Sequence, residues 1–229
     1  MNNFQRVFRN TSYLFVAEVF LKLLGVLWFI FLARVLTVEL LGRYNLVNSF
    51  VSVFSFLPDL GIGLVLIREI AKNRNKASSY IGSSLLINSV LAVVTIGVIV
   101  ITTYMLHYSQ PVQVLVCIAA FTLFFSTLRS VAIFYFDGTE NLKLSAFLTS
   151  FNSICMLAGG FLAIVLGFDL PGVFLGMLVG TILSLGVTWK NLLSRVTPSF
   201  SFDKEQIKHI VHEGLPLGLA AFSDRKSVV

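Results

Sequence analysis

Residues 44–70 read YNLVNSFVSVFSFLPDLGIGLVLIREI, an apolar stretch long enough to cross a bilayer that also carries Asn45, Asn48, Ser52, Ser55 and Asp59. Steps of three, four, three and four residues place these five side chains on one face of a helix, with Val, Leu, Phe and Ile on the others. A carboxylate inside a bilayer costs roughly 2.5–3.5 kcal/mol on insertion scales, so Asp59 is expected to face a bundle interior or a watery cavity. Pro58 lacks a backbone donor, and Gly61 and Gly63 loosen the following turn, which predicts a bend beside the charge.

Working outward from this stretch, the same balance holds along the chain. Hydrophobic residues make up 56% of it and charged residues 12%, with a mean hydropathy of +0.88, far from a soluble domain. Apolar runs of about 20 residues, rather than alternating segments of about ten, predict an all-α, polytopic membrane helix bundle. Six transmembrane helices are expected, at residues 11–36, 44–67, 80–106, 112–136, 144–168 and 171–189. The first has no small-residue cleavage site and reads as an uncleaved span.

Charge sets the orientation. With the N-terminus inside, Arg6, Arg9, Arg68, Lys72, Arg74, Lys76, Lys143, Lys190, Arg195, Lys204 and Lys208 are cytoplasmic, against Arg43 outside. This bias accounts for the net charge of +6, so no nucleic-acid partner is expected. A multi-pass protein of the plasma (inner) membrane follows, with membrane lipids around it.

Polar faces recur. Thr11, Glu18, Lys22 and Gly25 share one in the first span; Ser84, Asn88, Thr95 and Thr102 in the third; Thr122, Ser126 and Arg129 in the fourth; Ser145, Thr149 and Asn152 in the fifth. Serine, threonine and asparagine commonly join helices by hydrogen bonds, but Glu18, Lys22, Asp59 and Arg129 need more than that explanation. Glu18, Asp59 and Arg129 are expected at similar depth, with Glu18 paired to Lys22 and Asp59 to Arg129. In the sixth span Gly172, Gly176, Gly180, Ser184 and Thr188 recur every fourth residue, and Gly159, Ala163 and Gly167 do so in the fifth. Such ridges admit a neighbouring backbone, so these two helices are expected to pack tightly.

Chemistry-bearing motifs are few. No GxxxxGK(S/T), GxSxG or HExxH sequence occurs, so neither nucleotide hydrolysis nor the common hydrolytic sites are expected, and the chain reads as a non-enzyme with no cofactor. Cys117 and Cys155 fall inside separate spans and read as small hydrophobes. His209 and His212 beside Glu213 lack a third clear ligand, so no metal is expected. Residues 203–213 place Ile207, Ile210 and Val211 on one side and charge on the other, as in a short helix on a membrane surface.

Three stretches carry a resemblance: DLGIGLVLIREIAKNR from Asp59, YFDGTENLKLSAF from Tyr135 and EGLPLGLAAF from Glu213. They resemble the oligosaccharide-lipid flippases of O-antigen, lipopolysaccharide and other polysaccharide biosynthesis, within the multidrug/oligosaccharidyl-lipid/polysaccharide (MOP) exporter superfamily. The resemblance implies one lobe of a two-lobe transporter: a six-helix lobe at 1–189, a cytoplasmic linker at 190–213, and the start of a seventh helix at 214–229. It implies flipping of an undecaprenyl-pyrophosphate-linked oligosaccharide by alternating access, with a polysaccharide polymerase and a chain-length regulator as candidate partners. Lys22 and Arg129 are then candidate anion contacts, while Arg34 can snorkel to the interface; Glu18, Asp59, Asn45 and Asn48 complete the candidate substrate-binding set. The alternatives are a cation-coupled drug exporter of the same superfamily and a non-transporting membrane partner of a glycan polymerase. Residues 214–222 are too short to span, and Asp224, Arg225 and Lys226 follow at once, so this segment is expected at the surface and the transporter is expected to be truncated.

Overall fold

The computed structural model describes residues 3–199 and 204–226, with side chains over 15–199 and 205–218. Eight α-helices follow in order: α1 (Asn3–Val35), α2 (Val38–Phe54), α3 (Ile62–Lys72), α4 (Ala77–Met105), α5 (Gln110–Gly138), α6 (Leu142–Val165), α7 (Leu170–Leu193) and α8 (Lys204–Lys226). Proline near the start of α5 and α7 fits there, since first-turn amides have no helical partner. Thr37 caps α2, its Oγ1 accepting from the Leu40 amide at 3.4 Å.

Among the described residues five helices are long and apolar enough to cross a membrane by length and composition, so the six expected spans are matched in part. The span expected at residues 44–67 is two helices, α2 and α3, separated by a turn. Leu60 and Gly61 adopt left-handed φ values of 39° and 80°, which no α-helix accommodates, and Pro58 offers no amide to bridge them. The predicted bend is therefore a full break. Beyond it α3 is amphipathic, burying Ile62, Val65, Leu66 and Ile70 at helical spacing.

The two largest of four apolar clusters among the described residues hold most of the bundle. One joins Val47 and Val51 of α2 to Ile99 of α4, to Val112, Leu115, Val116, Ala119 and Ala120 of α5, and to Leu170 and Phe174 of α7. The other joins Leu66 and Ile70 of α3 to Ala77 and Ile81, Val131 to Phe136, Leu148 and Leu192. Lipid tails are as apolar as these side chains, so close packing and hydrogen bonding hold such helices together more than water exclusion does.

The α6–α7 pairing is the most extensive in the bundle. A Cβ on Gly159 would meet the Gly176 carbonyl, one on Gly176 would meet Gly159, and one on Gly180 would meet Cys155 and Met156 backbone. The two ridges read from the sequence thus touch backbone to backbone at Gly159 and Gly176, while Gly172 faces Phe168 and Gly167 lies beyond α6 with nothing within 4 Å of its Cβ position. Trp28 of α1 closes the arrangement, its ring beside Gly160 and Met177 and its Nε1 donating to Tyr44 Oη at 2.9 Å.

α8 is one helix across the boundary expected at 213/214, with Pro216 inside it. It packs on α3 and α4: Ile210 is buried against Ile62 and Val65, and Gly214 and Gly218 meet the Leu60–Gly61 turn backbone to backbone. That contact buries Ile210 of the apolar side read from residues 203–213, while Ile207 and Val211 stay half-buried. Residues 200–203 lie outside those described, and so do the side chains of Asp224, Arg225 and Lys226.

Candidate functional site

Between the two apolar clusters, four helices carry polar side chains. On α4 these are Ser84, Asn88 and Thr95; on α5 Thr127 and Arg129; on α7 Thr181, Ser184 and Thr188, all buried; Asn152 of α6 is half-buried. Trp189 Nε1 donates to the Leu128 carbonyl at 3.2 Å, which fixes Arg129 level with the end of the α7 series. The threonines satisfy themselves, donating to the carbonyl four residues back, as Thr95 does to Leu91 at 2.7 Å and Thr188 to Ser184 at 2.8 Å.

The others do not. Among the described residues, the Ser83, Ser84 and Ser184 hydroxyls, both amide atoms of Asn88 and the Nε and Nη1 of Arg129 have no hydrogen-bond partner in the protein. Arg129 is only 8% exposed. A buried guanidinium without a counter-ion is costly by several kcal/mol, and a bound anion or polar group recovers that cost.

The second polar region faces the other way. Asn45, Asn48, Ser52 and Ser55 lie on the exposed side of α2, opposite the buried Val47 and Val51. Their donors turn back on the helix: Asn48 Nδ2 to the Tyr44 carbonyl at 2.9 Å, and Ser52 Oγ to that of Ser49 at 2.8 Å. On α1, Lys22 Nζ pairs with Glu18 Oε1 at 3.1 Å, with side chains 76% and 65% exposed. The pair forms as expected, but on the outside of the lobe. Trp28 and Tyr44 fix the antiparallel register of α1 and α2, which sets Lys22 level with residues near Phe50, about 9 Å along the axis. The outer polar stripe and the outer ion pair therefore lie at one depth.

Asp59 belongs to neither region. Its Oδ1 accepts from the Gly63 amide at 2.8 Å, capping α3 where Gly61 has no side chain to do so. The expected Asp59–Arg129 pair does not form. The break after Phe54 turns the carboxylate away from the α2 stripe and commits it to the α3 amides.

A third constellation was hidden in the sequence. Glu69, His209 and Glu213 bring ligand-type atoms within 4.8 Å of one another where α3 meets α8. Reading the chain linearly put His212 in this set, but α3 supplies Glu69 instead. Cations already serve the carboxylates: Arg68 bridges Glu69 and Glu213, and Lys72 Nζ lies 2.9 Å from Glu69 Oε1. Burial alone would raise the Glu69 carboxyl, but hydrogen bonds from Lys72 and Arg68 outweigh it and hold that group below the usual glutamate range.

Residues 7–224 match the family model described as polysaccharide biosynthesis protein. No curated protein sequence matches the chain. Among solved structures, the fold is similar to an outward-facing multidrug resistance MATE family transporter of the MOP superfamily, with a TM-score of 0.77 at 17% identity over 95% of this chain and 52% of that one. It is also similar to a MOP superfamily transporter from Pyrococcus furiosus Vc1 (DSM3638), for which a reversed polarity of the binding pocket suggests a different function. There the TM-score is 0.70 at 16% identity, again over 95% and 52%. The chain spans about half the length of the solved transporters it matches.

Proposed function

Because this chain belongs to the polysaccharide biosynthesis protein family and has the fold of half a MOP transporter, we propose that it forms the first lobe of a flippase for lipid-linked oligosaccharides. The observation that carries the reading is Arg129: a permanent cation, 8% exposed, with two guanidinium nitrogens lacking a protein partner among the described residues. A site that stabilises charge in this way favours an anionic substrate such as a lipid-bound pyrophosphate over an organic cation. The outward stripe of Asn45 and Asn48 with Lys22 and Glu18 is too polar for lipid, which supports a watery path along α1 and α2, between this lobe and a second. On this reading the Arg- and Lys-rich end is cytoplasmic, in the inner membrane, where substrate enters; a polysaccharide polymerase and chain-length regulator would act on the released product.

The carboxylates of Glu18 and Asp59 favour a second reading, a cation-coupled drug exporter. One experiment separates the two. The complete protein is reconstituted in vesicles, and translocation of a labelled undecaprenyl-pyrophosphate oligosaccharide is compared with efflux of a cationic dye. Oligosaccharide translocation that falls at least tenfold with Arg129→Met supports the flippase. Dye efflux alone supports the exporter, and neither activity supports a non-transporting partner.

A further inference from the structure

The Arg- and Lys-rich end of the lobe holds a polar cavity that none of these functions uses. Its volume is about 440 Å³, far more than the roughly 30 Å³ of a water molecule, and it is lined by Arg74, Arg195, Tyr135, Thr139, Glu140 and Asn141 among others. Three separate segments meet there: the turn between α3 and α4, the α5–α6 turn, and the stretch after α7. They are tied together. Arg74 Nη2 donates to the Thr139 carbonyl at 3.3 Å, Ser78 Oγ donates to the Thr197 carbonyl, and the Ser199 amide donates to Ser78 O at 3.0 Å.

The chemistry of the lining is specific. Arg195 lies over the Phe136 ring at 5.7 Å, which fixes its guanidinium plane while leaving its edge free to donate. Arg74 is held at one end by Thr139, and among the described residues its other donors make no hydrogen bond. α6 starts from the lining residue Asn141, whose side chain makes no cap to it, so the positive end of that helix adds to the two arginines. The α5 carbonyl end, which would oppose an anion, is closed by the Thr139, Glu140 and Asn141 amides and the Thr139 hydroxyl. Glu140 is the acidic member, so the lining carries two positive charges against one negative.

We propose that this cavity binds phosphate, through bidentate contacts from Arg74 and Arg195 with the α6 N-terminus behind them. The phosphate can come from an anionic phospholipid headgroup at the membrane surface or from a soluble pyrophosphate compound. The site is distinct from Arg129 and does not depend on what the transporter carries. In the first arm of the test, the purified chain is exposed to equal amounts of phosphatidylglycerol and phosphatidylcholine, and lipid retention is read by native mass spectrometry. In the second, sodium pyrophosphate is titrated into the detergent-solubilised chain by calorimetry.

A roughly tenfold preference for phosphatidylglycerol, lost in the Arg74→Gln/Arg195→Gln double variant, assigns the headgroup source. Pyrophosphate binding lost in the same variant assigns the soluble source. Failure of both probes with the unaltered chain, or equal binding by a folded double variant, overturns the proposal. Arg74 also ties two segments together, so Glu140→Gln supplies a readout that leaves both arginines in place. It should tighten binding about threefold, and unchanged or weaker binding counts against the site.

Discussion

Two sets of polar side chains in this lobe have the same chemistry and opposite surroundings. Asn45, Asn48 and Ser52 on α2, with Glu18 and Lys22 on α1, are exposed on the outside of the bundle; Ser84, Asn88, Arg129 and Ser184 are buried between α4, α5 and α7. Most of the outer set is satisfied locally: Asn48 and Ser52 by their own backbone, Glu18 and Lys22 by each other. The inner set is not, and its most demanding member is a cation. Solvation explains the difference: a polar group beside water needs no protein partner, whereas a buried one needs a ligand, a water or another side chain. On the proposed function, the outer face is a wall of a wet path and the inner layer is where an anion is held.

The largest effect expected is on the scaffold that keeps the inner layer closed. Gly176→Val places a branched side chain on the Gly159 carbonyl, where neither backbone can retreat without separating α6 from α7. A cost of roughly 3 kcal/mol or more is expected from overpacking at a backbone contact. Size-exclusion chromatography of the detergent-solubilised chain should show loss of the monodisperse species. A Gly25→Val variant is the control on the outer face, where a Cβ meets nothing within 4 Å and the chain should remain folded.

Next in size is Arg129→Met, which keeps an unbranched stem and removes the charge. Replacing an uncompensated buried ion by an apolar side chain of similar length should stabilise the lobe, by about 1–3 kcal/mol, while the translocation expected of the complete protein falls at least tenfold. Thermal melting in detergent and the vesicle assay read the two effects separately. A melting temperature that falls instead would show that Arg129 is a structural member of the layer, and the contrast between the two regions would lose its functional meaning.

Asp59→Ala is expected to cost less, about 1 kcal/mol, because it removes one cap from the α3 amides. Asp59→Asn should recover most of that loss, since an amide oxygen can still accept from Gly63. Had Asp59 been the counter-ion of Arg129, the asparagine variant would be as damaging as the alanine.

Much of the bundle was legible in the sequence, for reasons that residues make plain. The four-residue spacing of Gly172, Gly176 and Gly180 announces a backbone contact because nothing else in a lipid-facing helix demands glycine at that period, and the structure seats it against Gly159. The spacing of Glu18 and Lys22 likewise fixes their pairing, which needs only one helix. Periodicity tells which residues share a face and not where the face points. Hence Asn45 and Asn48 read like Ser84 and Asn88, although one set is exposed and the other buried. The full break at Leu60 and Gly61 escaped because a left-handed leucine has no sequence signature, and with it went the Asp59–Arg129 pair and the single continuous helix expected at residues 44–67. Likewise Pro216 suggests an interruption that the Gly214–Gly218 contact with Leu60 and Gly61 overrides, so α8 continues.

The smallest stability effect is expected on the outer face, and it sharpens the comparison most. Glu18 and Lys22 are largely exposed, so their ion pair works against water and should contribute no more than about 0.5 kcal/mol. Lys22→Ala should therefore leave the melting temperature of the chain within error of its unaltered value. In the complete protein, if α1 and α2 line a wet path, the same substitution removes a cation at the depth of the Asn48–Ser52 stripe and should slow oligosaccharide translocation several-fold. Lys22→Arg, which keeps charge and length, should restore most of the rate. A Lys22→Ala variant that is unchanged in both stability and translocation would place this face against lipid or a passive neighbour. The path would then have to run through the inner layer alone, past Arg129.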